Sequence, residues 1–141
     1  MSVVIKLIDQ SEHKHTTVGT WTLDPQTGDI VILVSKMSDW RFEQAVIGHE
    51  RKEVFWCKAN GITQAECDAW DDQYEKLYKS GAVPPSYEPG EDPNCPYHRG
   101  HMLGIIEEIA TIIDTGANWR DYTNKCDELM GIGGKPSTTP D

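Results

Sequence analysis

Gly48-His49-Glu50-Arg51-Lys52-Glu53 sets a carboxylate directly after a histidine and a second carboxylate four residues beyond it. In a helix, positions four apart stack on one face, so His49 and Glu53 point the same way. Phe42, Ala45, Val46, Trp56 and Cys57 share that face. An unpaired charge in an apolar stripe is costly, so the two groups must hold each other or hold a metal. The H-E-x-x-E pattern is one residue away from the H-E-x-x-H of zinc hydrolases.

A second cluster follows at Pro96-Tyr97-His98-Arg99-Gly100-His101. Catalytic zinc takes three protein ligands from histidines and carboxylates and keeps one position open. His49, Glu53 and His101 satisfy that set, with His98 as a competing fourth ligand. Glu50, about 100° round the helix from His49, is placed to act as general base toward a water that the metal acidifies. Asp71 suits an outer role, fixing the tautomer of a ligand histidine. The competing reading of His98 is capping of its helix's first turn, and of Asp71 a hydrogen bond to a core Tyr or Trp. One Zn2+ is the expected cofactor. A di-metal carboxylate site is the chemical rival, weakened because the Glu-x-x-His pairs that such sites use are missing.

The elements that must position these residues can be read from caps and turns. Val3–Ile8 and Ile30–Val34 are apolar β-type runs. Thr16–Leu23 is a third, with Gly19 as a bulge or close approach, and Asp24–Asp29 is a turn. The last two strands make a hairpin and the first adds to it. A helix is expected from about Asp39 to Asn60. A second opens on a Thr63/Glu66 capping box and stops at Gly81. Residues 82–97 form a loop with five prolines, long enough to suggest function. A third helix runs from about Tyr97 to Asp114, with Met102, Ile105, Ile109 and Ile112 as its buried stripe, flanked by Ile106 and Ile113. His98 and His101 lie on that stripe, and Glu108 lies beside His101. A fourth helix, capped by Asn118, runs to Met130. The expected architecture is α+β: a small antiparallel sheet packed by three to four helices, in one domain over residues 1–130, with a disordered tail over 131–141.

Composition narrows the partners. The 141 residues are 38% hydrophobic and 26% charged, with a formal net charge of −10. That balance disfavours nucleic acid, which needs Lys and Arg on its phosphates, and anionic membrane surfaces. No apolar run approaches the roughly 20 residues that span a bilayer. The N-terminal residues do not read as a secretory signal. Cys57, Cys67, Cys95 and Cys126 are widely spaced and read as reduced thiols in a cytoplasmic protein, with two disulfides as the alternative.

Several short segments follow one another along the chain: Thr17-Val18-Gly19-Thr20-Trp21, then Ile47-Gly48-His49-Glu50-x-x-Glu53, Gly61-Ile62, Trp70-Asp71, Glu88-Pro89-Gly90-Glu91-Asp92-Pro93, Pro96-Tyr97-His98-x-x-His101 and Glu108. This order resembles a group of small bacteriophage-encoded proteins of unassigned activity, whose H-E-x-x-E is similar to that of zincin-like metallopeptidases. The resemblance covers about Thr17 to Tyr122. The chain departs from the group's pattern at Thr20 (Asp there), Trp70 (Phe there) and Arg51-Lys52 (an apolar pair). The resemblance implies a zincin-like fold, with His49, Glu50, Glu53, Asp71, His98 and His101 at the matching positions, and residence in the cytoplasm of the host cell. In zincins an edge strand over the site presents a peptide by strand addition, a part the hairpin would play here. The expected function is zinc-dependent hydrolysis, peptidase-like. The alternative is a non-enzymatic phage protein that binds a host or virion protein, with a structural metal or none.

Overall fold

A computed structural model describes residues 1–132. The tail expected from residue 131 therefore lies, from residue 133 onward, outside the described residues. Three strands, β1 (Val3–Ile8), β2 (Gly19–Leu23) and β3 (Ile30–Ser35), precede four helices, α1 (Trp40–Ala59), α2 (Gln64–Ser80), α3 (His98–Asp114) and α4 (Trp119–Met130).

The sheet is mixed, in the order β1-β3-β2. β2 and β3 form the antiparallel hairpin, with Trp21 opposite Ile32, across the turn closed by Gly28 at φ +73°. β1 does not continue that antiparallel pattern. It lies parallel to β3 on the far side, Ile5 opposite Ile32. The correction has a physical reason: β3 is the most continuous β-branched run, and the centre of a sheet is where a strand is covered from both sides. Ile30, Ile32 and Val34 are accordingly fully buried, whereas β1 is exposed along nearly its whole length.

α1 packs on the sheet with one side and on α3 with the other. Asp39 caps α1, accepting from the Arg41 N–H, and Asn60 ends it. Thr63 and Glu66 form the expected reciprocal box at the start of α2, and Gly81 ends that helix in the left-handed region. α2 is tied to β2 and to the segment before it by hydrogen bonds. The Leu23 N–H at the end of β2 donates to Gln64 Oε1 (2.6 Å), and the Thr16 N–H, three residues before the strand, donates to Glu75 Oε1 (2.6 Å). β1 is one edge strand, and Gln64 of α2 takes the last N–H of the hairpin edge expected to present a peptide.

α3 keeps Ile112 and His101 of the stripe expected for it but turns Met102 and Ile109 outward. Its inward residues are Gly100, His101, Gly104 and Ile112. Met102, Ile106, Ile109 and Ile113 face solvent. The reason is the close approach of α1: a Cβ at Gly100 would lie 3.2 Å from the Glu53 backbone oxygen, so only a face without side chains fits there. All four cysteines are buried free thiols, and no helix among the described residues is long and apolar enough to cross a membrane.

Candidate metal centre

The α1–α3 interface holds a charged cluster in place of an apolar core. His49, Glu50, Glu53 and His101 are each less than 9% exposed. Atoms of His49, Glu53 and His101 that could ligate a metal lie within 4.8 Å of one another. Glu53 is the hub. Its Oε2 is 3.1 Å from His49 Nε2 and 3.4 Å from His101 Nδ1, and its Oε1 accepts from the Trp21 indole N–H at 2.9 Å.

Each histidine presents its other nitrogen to a further carboxylate. His49 Nδ1 is 2.6 Å from Glu108 Oε2, and Tyr122 Oη donates to the second Glu108 oxygen. His101 Nε2 is 3.0 Å from Glu88 Oε2, but not aligned for a hydrogen bond, so this buried nitrogen is without a partner. The chain is therefore suited to offering His49 Nε2, Glu53 Oε2 and His101 Nδ1 inward, with carboxylates behind both rings. Metal-bound histidines are commonly held this way. The donor set of two nitrogens and one oxygen fits Zn2+.

The electrostatics follow from this packing. Burial disfavours the His49 cation, but Glu108 and Glu53 outweigh it and raise its pKa well above the ordinary value. Burial likewise opposes the His101 cation, yet Glu53 and Glu88 lift it to about 9. Burial pushes Glu53 up, and the two histidines more than reverse this, holding it at about 2. Glu50 gains less from the histidines, whose charges lower its pKa without reversing the effect of burial. Burial, then the charge of Glu53, raises its pKa well above the carboxylate range. Without a metal the cluster is thus a set of buried ion pairs beside one neutral acid. Metal binding must displace the histidine protons.

Backbone walls the site. A Cβ at Gly104 would lie 2.7 Å from His49 Cγ, and one at Gly19 would lie 2.7 Å from Glu50 Oε1. Gly90 presses on the His101 ring still more closely. Gly90 belongs to the proline-rich loop, which is strapped down at four points. Tyr78 Oη donates to Tyr87 O (2.6 Å), Trp70 Nε1 to Pro89 O (3.0 Å) and Tyr74 Oη to Asp92 Oδ2 (2.7 Å), while His98 Nδ1 sits 2.8 Å from Gly90 O.

The expected site residues therefore divide. His49, Glu50, Glu53 and His101 converge. His98 lies outside the ligand group and anchors the loop, because the first turn of α3 aims it at the Gly90 carbonyl. Asp71 touches neither histidine; it accepts from Tyr97 Oη, and burial raises its pKa to about 6. The part expected of it is taken by Glu108 and Glu88. Glu108 reads from sequence as a neighbour of His101, but the antiparallel crossing of α1 and α3 brings it to His49. Glu88 has only the Glu-Pro-Gly loop as a signal, and Trp21 and Tyr122 have none. No protein-family model, curated protein or solved structure matches the chain at a significant level.

Proposed function

We propose that the chain binds one Zn2+ through His49, Glu53 and His101 and acts as a zincin-like, peptidase-like hydrolase. The convergence of three ligand atoms with a carboxylate behind each histidine carries this reading. A bound zinc ion supplies Lewis acidity toward a carbonyl and a water. Glu108 fixes the His49 tautomer, and Glu50 takes the proton from the attacking water. Burial, then the Glu53 charge, raises the Glu50 pKa, and a cation at Glu53 would relieve the second of these, favouring the base form.

Elemental analysis of the purified protein should give one zinc per chain, lost in His49→Ala and in His101→Ala. Full metal content in both variants would sink the site. Glu50→Gln should keep the metal and abolish hydrolysis of a mixed peptide library. Unchanged hydrolysis would remove the enzyme reading.

One observation favours a second reading, in which the metal is structural in a phage protein that binds a host or virion protein. The cluster is almost wholly enclosed: His49, Glu50, Glu53 and His101 are all buried. Zinc bound with no peptide hydrolysis by the wild-type chain is its expected outcome.

A further inference from the structure

We propose that Trp21 is the positioning residue that sets which ion the centre accepts. Its indole N–H holds one oxygen of Glu53, so that Glu53 offers a metal a single oxygen and the centre selects zinc over oxygen-preferring cations. The inference rests on the metal reading above and adds to it the group that decides the fit. Trp21 sits in the middle of β2, 6% exposed, and reaches from the sheet to α1. Its Nε1 donates to Glu53 Oε1 at 2.9 Å, while Glu53 Oε2 faces His49 Nε2 and His101 Nδ1 at 3.1 and 3.4 Å. One carboxylate is thereby divided between two tasks. An indole N–H donates and never accepts, so Trp21 itself is no ligand. Both partners are buried, so an indole released from Glu53 has no water to turn to. Gly19, two residues earlier on the same face of β2, abuts Glu50. The strand spacing of two meets the helix spacing of three, and β2 backs both carboxylates of the H-E-x-x-E segment.

The other carboxylates do not make up the oxygen that Trp21 withholds. Glu108 has one oxygen on His49 Nδ1 and the other on the Tyr122 hydroxyl. Glu88 lies on the Nε2 side of His101, whereas Glu53 lies on the Nδ1 side. Glu50 stands outside the group of converging ligand atoms. Between the two rings the chain therefore offers two nitrogens and one oxygen. Calcium takes about six to eight oxygens and magnesium a near-octahedral oxygen shell, so neither is served. Zinc, four-coordinate with histidine nitrogens and a carboxylate oxygen, is. Freed from Trp21, Glu53 can close on an ion with both oxygens, which raises the coordination number and suits the harder Mn2+.

The test titrates the metal-free wild-type chain and Trp21→Phe with Zn2+, Mn2+ and Co2+. Phenylalanine keeps most of the ring's packing and removes the N–H. The Zn2+ affinity of Trp21→Phe should fall about tenfold to a hundredfold, as for loss of a group that orients a ligand, with Mn2+ affinity unchanged or higher. At equal Co2+ occupancy the variant's visible absorption should be severalfold weaker, as coordination rises above four. A purely structural role would lower stability and leave the Zn2+/Mn2+ ratio and the Co2+ spectrum as they are, and that outcome overturns the proposal. A second measurement needs no substitution. The Trp21 indole proton, assigned through its cross-strand neighbour Ile32, should exchange with solvent as slowly in the zinc-loaded wild-type chain as in the metal-free one. Loss of its protection on zinc saturation would mean that Glu53 has turned both oxygens to the ion, and overturns the proposal even where Trp21→Phe fails to fold. A wild-type chain that takes up neither Zn2+ nor Co2+ ends the metal reading, and the proposal falls with it. Zinc uptake with an unchanged ratio in Trp21→Phe leaves that reading standing and removes only the role of Trp21.

Discussion

The two faces of α3 invert the usual arrangement of a helix. The inner face, against α1, carries Gly100, His101, Gly104 and Glu108; the outer face carries Met102, Ile106, Ile109 and Ile113. Apart from Ile112, the large apolar side chains of α3 are the more exposed ones. What decides burial here is fit and pairing. Two glycines let the backbones of α1 and α3 come close, and the polar side chains between them are bought inside by partners: His49 by Glu108, His101 by Glu53 and Glu88. Apolar area alone does not say which side of a helix meets the core when a neighbour needs space that Ile cannot give.

The inner face should be the sensitive one. Glu53→Ala in the metal-free protein leaves two buried histidines and the Trp21 indole without their shared acceptor. It should cost about 3–5 kcal/mol in urea unfolding, as for a broken buried ion pair. A loss below 1 kcal/mol would show that the cluster does not hold the helices together.

The pH dependence of the metal-free protein tests the same pairs. His101 is raised from 6.5 to about 9 with Glu53, Glu88 and His49 around it. Its contribution is therefore full below pH 6.5 and lost as pH rises through 9, up to about 3 kcal/mol. Glu53, depressed from 4.5 to about 2, contributes above pH 4.5 and loses that as pH falls through 2. Burial disfavours the ionised forms of Asp71, raised from 3.8 to about 6, and of Glu50, so each costs stability as pH rises above its unfolded value, the Asp71 share falling mostly below pH 6.5. Thermal melts should show Tm falling steadily from pH 6.5 to 9. A flat profile there would break the account of the cluster.

Gly104→Ala should destabilise by about 1–3 kcal/mol through the clash with His49, although alanine in a helix interior is otherwise better than glycine by about 1 kcal/mol. A stabilised variant would mean that the helices can part at no cost. The smallest effect belongs to the outer face. Ile109→Ser, measured by urea unfolding at sub-micromolar concentration, should stay within about 0.5 kcal/mol of the wild type.

Much of this was legible residue by residue. Asp39, Thr63 with Glu66, Gly81 and Asn118 mark helix ends by local chemistry, and the structure keeps all of them. His49 and Glu53 share a face because helical spacing requires it. The strand order was not legible, because nothing local in Val3–Ile8 says whether its partner is β2 or β3. The orientation of α3 misled for a related reason. A period of isoleucines fixes a stripe but not its direction, and the cue lay in Gly100 and Gly104 beside His101. Glu88 and Tyr122 reach the cluster only through the folded path of the chain, so spacing could not reveal them.

The four-point strap on the proline-rich loop bears on time as well as place. Glu88 and Gly90 lie directly over His101, and the carbonyls of Tyr87, Pro89 and Gly90 are each tied to a side chain of α2 or α3. Anything enclosed beneath them leaves only as fast as those ties release together. Lifetime in the site is then set by the loop's opening rate, so even a weakly held occupant would depart slowly.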